Sequence, residues 1–316
     1  MSAPLVSVIV RSIARPELER ALASVAGQSY PALEVVCVNA KGGEHPPLPA
    51  TAGKVPIRRV ELGRPLGRSE AANAGLAAAV GEYVAFLDDD DWFLEHHVAA
   101  LVEALASNPS ARVAYANAEG VDRDGTVVHR FAEPFCYARL CVGNFIPMDA
   151  ALFARELVRA GCAFDETLTV YEDWDFWLQL AAYGPFVHVD RVGVRCSAGG
   201  SSGVGLAPER QQQRAARVRV YEKWRHLWSG EQLDALVAFL EEEARVRDLM
   251  FAAAVAAADR TSQELGRVAS EAEQARRELE AVLASRSWRW TAPLRWAKGR
   301  VGRGARGGAG RRGKVS

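Results

Sequence analysis

Between Tyr83 and Trp92, five apolar or β-prone residues run straight into four aspartates, Asp88, Asp89, Asp90 and Asp91. Residues 83–87, bounded by Gly81, read as a buried strand, so the carboxylates fall just past its carboxyl end. Four carboxylates this close repel one another unless a positive group or water sits among them. Ligands of open α/β sheets bind at the carboxyl ends of strands, and a hard divalent cation that also grips phosphates suits such oxygen donors. A solvated acidic turn is the plain alternative. The buried strand before the run and the apolar Trp92-Phe93-Leu94 after it count against that alternative. A second polar cluster follows at Phe164-Asp165-Glu166 and Tyr171-Glu172-Asp173-Trp174-Asp175. Trp174, Trp177, Leu178 and Ala181 fall at helical spacing, predicting a helix from about Glu172 that Gly184-Pro185 stops. Glu172 and Asp173 then occupy its first turn, where the helix dipole favours ionised carboxylates; that preference alone would also account for them.

The elements that must hold these groups are legible from period and punctuation. Strands are expected over residues 5–10, 33–38, 57–62 and 112–116, with short ones over 186–189 and 192–195. Helices are expected from Pro16 to Gly27, from a Ser69 cap to Val80, and over 94–106. Asp124-Gly125 reads as a hairpin turn. Repeated β-α alternation predicts an α/β fold with a mostly parallel, helix-covered sheet. Residues 198–205 form a Gly/Ser loop suited to a lid. Beyond Pro208 helix formers dominate, with Ser229 and Gln232 as a capping box. Leu265, Val268, Ala272, Ala275, Leu279 and Val282 mark a short, Ala-rich heptad seam, a C-terminal coiled-coil extension. That seam either pairs chains into a homo-oligomer or packs back on the catalytic domain.

The 316 residues, 49% hydrophobic and 25% charged, suit one large soluble domain plus an appendage. Expected segments are 1–205, 206–260, 261–285 and 286–316. The net charge of zero hides an asymmetry: ten basic groups and no acid follow Glu280, leaving 29 basic against 39 acidic groups before it. With Trp288, Trp290 and Trp296, that tail suits an anionic membrane surface. Five cysteines without metal-type spacing read as reduced thiols of a cytosolic protein. Residues 5–10 are too short for a signal peptide, and no apolar run approaches the ~20 residues of a membrane span. Nucleic acid is not among the expected partners.

Residues 5–200 resemble a family 2 glycosyltransferase of the GT-A fold, a Rossmann-like sheet. The resemblance rests on Val6-Ser7-Val8-Ile9-Val10, Arg15-Pro16-Glu17-Leu18, the run Ala21 to Pro31, Asn73-Ala74-Gly75, Phe86-Leu87-Asp88-Asp89-Asp90-Asp91, Phe164-Asp165-Glu166 and Glu172-Asp173-Trp174. Each motif is weak alone; their order makes them strong together. The segment from Ser285 to Arg295 also resembles tails of bacterial surface-polysaccharide transferases. The resemblance implies a UDP- or dTDP-sugar donor and a glycan or lipid-linked acceptor. It implies Mg²⁺ or Mn²⁺ held by Asp90 and Asp88, with Asp88 and Asp89 also contacting the donor. It implies Asp173 as general base with Glu172 beside it, and inversion at the anomeric carbon. Asn73 belongs to a donor-side motif that usually carries an arginine; Arg68, one turn earlier, is its expected substitute. The enzyme would work in the cytoplasm, at the inner face of the membrane.

The chain departs from the family pattern in three places. Arg11-Ser12-Ile13-Ala14 stands where Pro-Thr-Tyr-Asn is usual, and Asn39-Ala40-Lys41-Gly42 where Asp-Asp-Gly-Ser is usual, so Asn39 is left as the nucleobase contact. Val194-Arg195-Cys196-Ser197 lacks the late histidine. These changes keep two rivals in play: a nucleotidyltransferase on a similar sheet, and a non-catalytic relative that scaffolds a polysaccharide complex.

Overall fold

The computed structural model describes residues 3–43, 45–198 and 211–286. The expected lid loop and the basic Trp tail lie almost wholly outside them. Among the described residues one ten-stranded sheet is built outward from β1 (Val6–Ser12), all seven of whose residues are buried. A strand covered on both faces has no use for polar alternation, hence its Val/Ile run. β1 pairs in parallel with β2 (Leu33–Asn39) and with β5 (Tyr83–Asp88). β2 pairs in parallel with β4 (Val55–Val60), which carries the two-residue strand β3 (Thr51–Ala52). Beyond β5 the order is β9 (Ala151–Ala154), β7 (Val113–Val121), β10 (Val187–Ser197) and β6 (Trp92–Phe93), with β8 (Val127–Phe131) hairpinned on β7. β9, a strand not expected from the sequence, runs antiparallel to both its neighbours and makes the mostly parallel sheet mixed there.

The helices are α1 (Leu18–Ala26), α2 (Arg68–Ala78), α3 (His97–Ser107), α4 (Tyr137–Val142), α5 (Glu156–Arg159), α6 (Glu172–Ala181), α7 (Gln211–Trp224) and α8 (Gly230–Ala284). The period of two sorts β1 between two cores: Ile9 joins Val36, Phe86, Phe153 and Trp177 on one face, while Val8 and Val10 join Val35, Leu101 and Leu152 on the other. α2 lies against β1 so closely that a Cβ on Gly75 would collide with Ile9. Among the described residues no helix is long and apolar enough to cross a membrane.

Several local expectations change. Ser69 is not a cap but sits inside α2, where its hydroxyl donates to the Leu168 carbonyl at 3.1 Å. The two short strands expected over 186–195 are one bulged strand, β10. Trp92-Phe93, just before the expected helix, forms an edge strand on β10. The Asp124-Gly125 hairpin and the reciprocal Ser229–Gln232 capping box both form.

The expected boundary at 205 lies outside the described residues. α8 is a single 55-residue helix running through position 260. α7 is bolted to the catalytic unit: buried Asp175 accepts from Lys223 Nζ at 2.9 Å and Trp224 Nε1 at 2.8 Å, and Tyr221 donates to the Val142 carbonyl. Asp175→Ala strips the acceptor from both side chains and should lower unfolding free energy by about 2–3 kcal/mol, read from urea denaturation. An unchanged midpoint would mean that this bolt carries no stability.

Candidate active site

The carboxyl ends of β1 and β5 bring Arg11 and Asp88 into register. Arg11 Nε and Nη2 both donate to Asp88 Oδ1, at 2.9 and 2.7 Å. Its remaining Nη1 is buried and makes no hydrogen bond; Glu172 Oε1 stands 3.7 Å away. Arg68 Nη1 approaches the same Glu172 oxygen at 3.9 Å. Glu172 thus sits between two guanidiniums, and Arg11 between two carboxylates from opposite sides of the site. Burial works against the Arg11 charge, but Asp88, Glu172 and Asp149 outweigh it and hold its pKa above the ordinary value.

The four aspartates take four different roles. Asp88 remains partly exposed, and among the described residues no donor reaches its Oδ2. Asp89 is wholly buried: its Oδ2 accepts from Ser12 Oγ and the amides of Ile13 and Arg15, and its Oδ1 from Arg15 Nη1. It ties down the loop after β1, where Ala14 is held at φ 63°. Asp90 lies 3.2 Å from Arg15 Nη1. Burial raises its pKa, with Arg15 opposing and Asp88 and Asp89 adding. Asp91 turns inward and accepts from the Ser197 amide at 2.7 Å. An oxygen of Asp149 lies within 4.8 Å of one of Asp91, and Asp149 Oδ1 accepts the Asp88 amide at 3.0 Å. Burial, then the charges of Asp88 and Asp91, lift Asp149 well above the usual carboxylate range. Cys196 stands in the same cluster, its thiol pushed up by burial.

Asp173 is the second residue of α6, whose N-cap Tyr171 is held in the left-handed region at φ 61°. A non-glycine residue in that region is strained and persists only where its surroundings enforce it. Asp173 Oδ2 accepts from Asn144 Nδ2 at 2.7 Å and Oδ1 from the Trp174 amide at 2.8 Å. Burial first, then the charge of Glu172, pushes its pKa up to about 7, against the pull of Arg11 and Arg68. A cavity of about 120 Å³ opens beside Asp88, lined also by Arg11, Arg15, Ala40, Leu66 and Arg68. A larger cavity of about 490 Å³ lies at the other end of β5. Several of its charges are already paired: Arg112 with Glu156, and Arg155 with the carbonyls of Gly81 and Val80.

The model of glycosyl transferase family 2 matches residues 7–149, which run from β1 through the aspartates to Asp149. Those residues belong to glycosyl transferase family 2. The chain is 28% identical over 184 residues to YwdF of Bacillus subtilis, itself an uncharacterized glycosyltransferase, covering 56% of this chain and 68% of that one. It is 32% identical over 115 residues to the succinoglycan biosynthesis protein ExoO of Rhizobium meliloti, covering 36% of this chain and only 33% of ExoO. Among solved structures it is similar to S. aureus TarS 1-349 in complex with UDP-GlcNAc, with 17% identity, a TM-score of 0.58, and coverage of 75% and 71%. The shared fold is GT-A, as expected from the sequence.

Of the residues expected at the donor, Arg68 and Asp88 line the cavity. Asn39 does not face it: its amide closes a turn with Gly42 through both its oxygen and its nitrogen. Asn73 spends its side chain on the backbone of Phe164 and on Glu166, bracing the loop that leads to α6. Asp89 is consumed by the loop after β1. These three were expected at the cofactor; each also spends side-chain hydrogen bonds on the chain itself. Arg11, Arg15 and Asp149 were not singled out as site residues. Arg11 could have been found, since a charged residue closing a fully apolar strand needs a buried partner. Asp149, sixty residues from the aspartate run, had no local signal.

Proposed function

We propose that this chain transfers a sugar from a nucleoside diphosphate sugar to an acceptor hydroxyl, with inversion at the anomeric carbon. The observation that carries the reading is the bridge through Arg11 and Glu172, which joins the strand-end aspartates to a carboxyl group poised near neutrality at Asp173. Asp173 takes the proton of the attacking hydroxyl, a task suited to a base titrating near the working pH. Asn144 fixes its carboxylate. Arg11 and Arg68 supply positive charge in the cavity, matching a diphosphate. The TarS neighbour was solved with UDP-GlcNAc, which supports a donor of this class. The kinship with ExoO supports a role in surface polysaccharide assembly, with the basic tail holding the enzyme at an anionic membrane face.

The residues fit a divalent cation. Seven carboxyl groups (Asp88 to Asp91, Asp149, Glu172 and Asp173) crowd against three guanidiniums, so positive charge is in deficit. Asp88, through the oxygen that Arg11 leaves, and Asp90 would hold Mg²⁺ or Mn²⁺, hard ions suited to carboxylate oxygen. The ion would neutralise charge on the diphosphate leaving group.

A thermal-shift panel of UDP, dTDP, GDP and CMP, with and without Mn²⁺, tests the reading. One nucleoside diphosphate should raise the melting temperature, and Mn²⁺ should enlarge the rise. Asp90→Ala should abolish that Mn²⁺ increment while leaving the nucleotide-free transition in place, since removing one crowded like charge relieves repulsion. If no nucleotide shifts the transition and no nucleotide sugar turns over, the scaffolding alternative takes over.

A further inference from the structure

Every residue of α8 leaves its side chain unburied, although the helix carries a long apolar seam. The frame of Leu265, Val268, Leu279 and Val282 extends back without a break to Leu233 by alternate steps of three and four. Thirteen of its fifteen positions are apolar, Arg247 and Thr261 being the exceptions. The exposure is large at this seam: 72% at Phe251, 66% at Leu265 and 58% at Leu279. The period decides what can cover it. A helix lying on a globular surface follows the natural 3.6-residue turn, whereas a strict seven-residue repeat drifts by about 20° per heptad. Over seven heptads the stripe would wind well away from any fixed surface. It stays in contact only with a partner helix that supercoils with it.

The charges beside the seam choose the partner and its direction. One flank carries Glu264, Glu271 and Glu278. The other carries Ser262, Ala269 and Arg276. In an antiparallel pair of copies the glutamate flank would face its own likeness. In a parallel pair Glu271 meets Arg276 of the neighbouring copy. Within one chain these two are five residues apart, on different rows of the helix, so their attraction needs two chains. We infer that the chain self-assembles through α8 as a parallel, in-register coiled coil of identical copies. Leucine leading and valine following in the last heptads favour more than two strands, while Val237 with Leu240 favours two; the number of strands is read from the mass. This inference is independent of the proposed transfer reaction.

Light scattering on the purified full chain at micromolar concentration should give a whole multiple of the 34.3 kDa chain mass. Leu265→Glu with Leu279→Glu should reduce it to a single chain while the melting transition of the catalytic unit stays in place. Glu271→Arg should weaken assembly, and adding Arg276→Glu should restore it. Val282→Cys should cross-link between copies on oxidation, beyond any background in the parent chain. A single-chain mass for the unaltered protein overturns the inference, as does assembly that survives the double glutamate variant. Assembly without the Val282→Cys cross-link, or without rescue by the charge swap, overturns the parallel register.

Discussion

Asp173→Asn should slow sugar transfer by about 10²–10⁴-fold while donor nucleotide and metal bind normally. Asparagine keeps the shape and still accepts from Asn144 or the Trp174 amide through its oxygen, but it cannot accept the hydroxyl proton. The pH dependence separates a base from a mere support. Asp173 works only when deprotonated, so wild-type transfer should rise with pH through about 7, its perturbed value. The residual activity of Asp173→Asn should lose that limb. Stability moves the other way. A carboxyl raised from its usual 3.8 to about 7 binds its proton more tightly when folded, so its stabilising contribution is present at low pH and is lost as pH climbs through 7. Asparagine mimics the protonated form, and the mutant should therefore gain melting temperature relative to wild type above neutrality. Glu172→Gln tests the neighbour: it should weaken donor binding through Arg11 and Arg68 more than it slows the chemical step. Near wild-type transfer by Asp173→Asn, with abolition in Glu172→Gln, would move the base by one residue.

The general plan of this site was legible because it depends on chain-local signals. An apolar run meeting aspartates places carboxylates at a strand end, and tryptophans at helical spacing place Glu172 and Asp173 at a helix start. Both placements hold. What was not legible is direction. Asn39 spends its side chain on a local turn at Gly42, while Asn73 and Asp89 bond partners that only tertiary structure supplies, Phe164 and the loop after β1. Asp175, two residues past Asp173, anchors α7 through Lys223 and Trp224, nearly fifty residues later in sequence. Period analysis also could not tell that β9 runs backwards, since a short buried strand reads the same in either direction.

Arg11→Met should weaken nucleotide binding by about 30–100-fold, the loss of roughly 2–3 kcal/mol expected when one side of a buried charged contact is removed. Arg11 is the only group that touches both halves of the site among the described residues, holding Asp88 by two hydrogen bonds and facing Glu172 with an unused Nη1. A buried donor without a partner is costly, and an anionic ligand entering the cavity would satisfy it. Methionine fills much of the volume but leaves Asp88 and Glu172 facing each other without the cation between them. An anionic ligand entering the cavity would then meet two uncompensated carboxylates. Arg11→Lys restores the charge without the fork, so it should recover the stability of the fold but only part of the affinity. Calorimetric titration with the nucleotide that gives the largest thermal shift, run on wild type and both variants, reads both outcomes. Equal affinity in Arg11→Met and wild type would reduce Arg11 to a structural brace between β1 and β5. Loss of affinity in Arg11→Met with full recovery in Arg11→Lys would make it a point charge, leaving no role for the unpartnered Nη1.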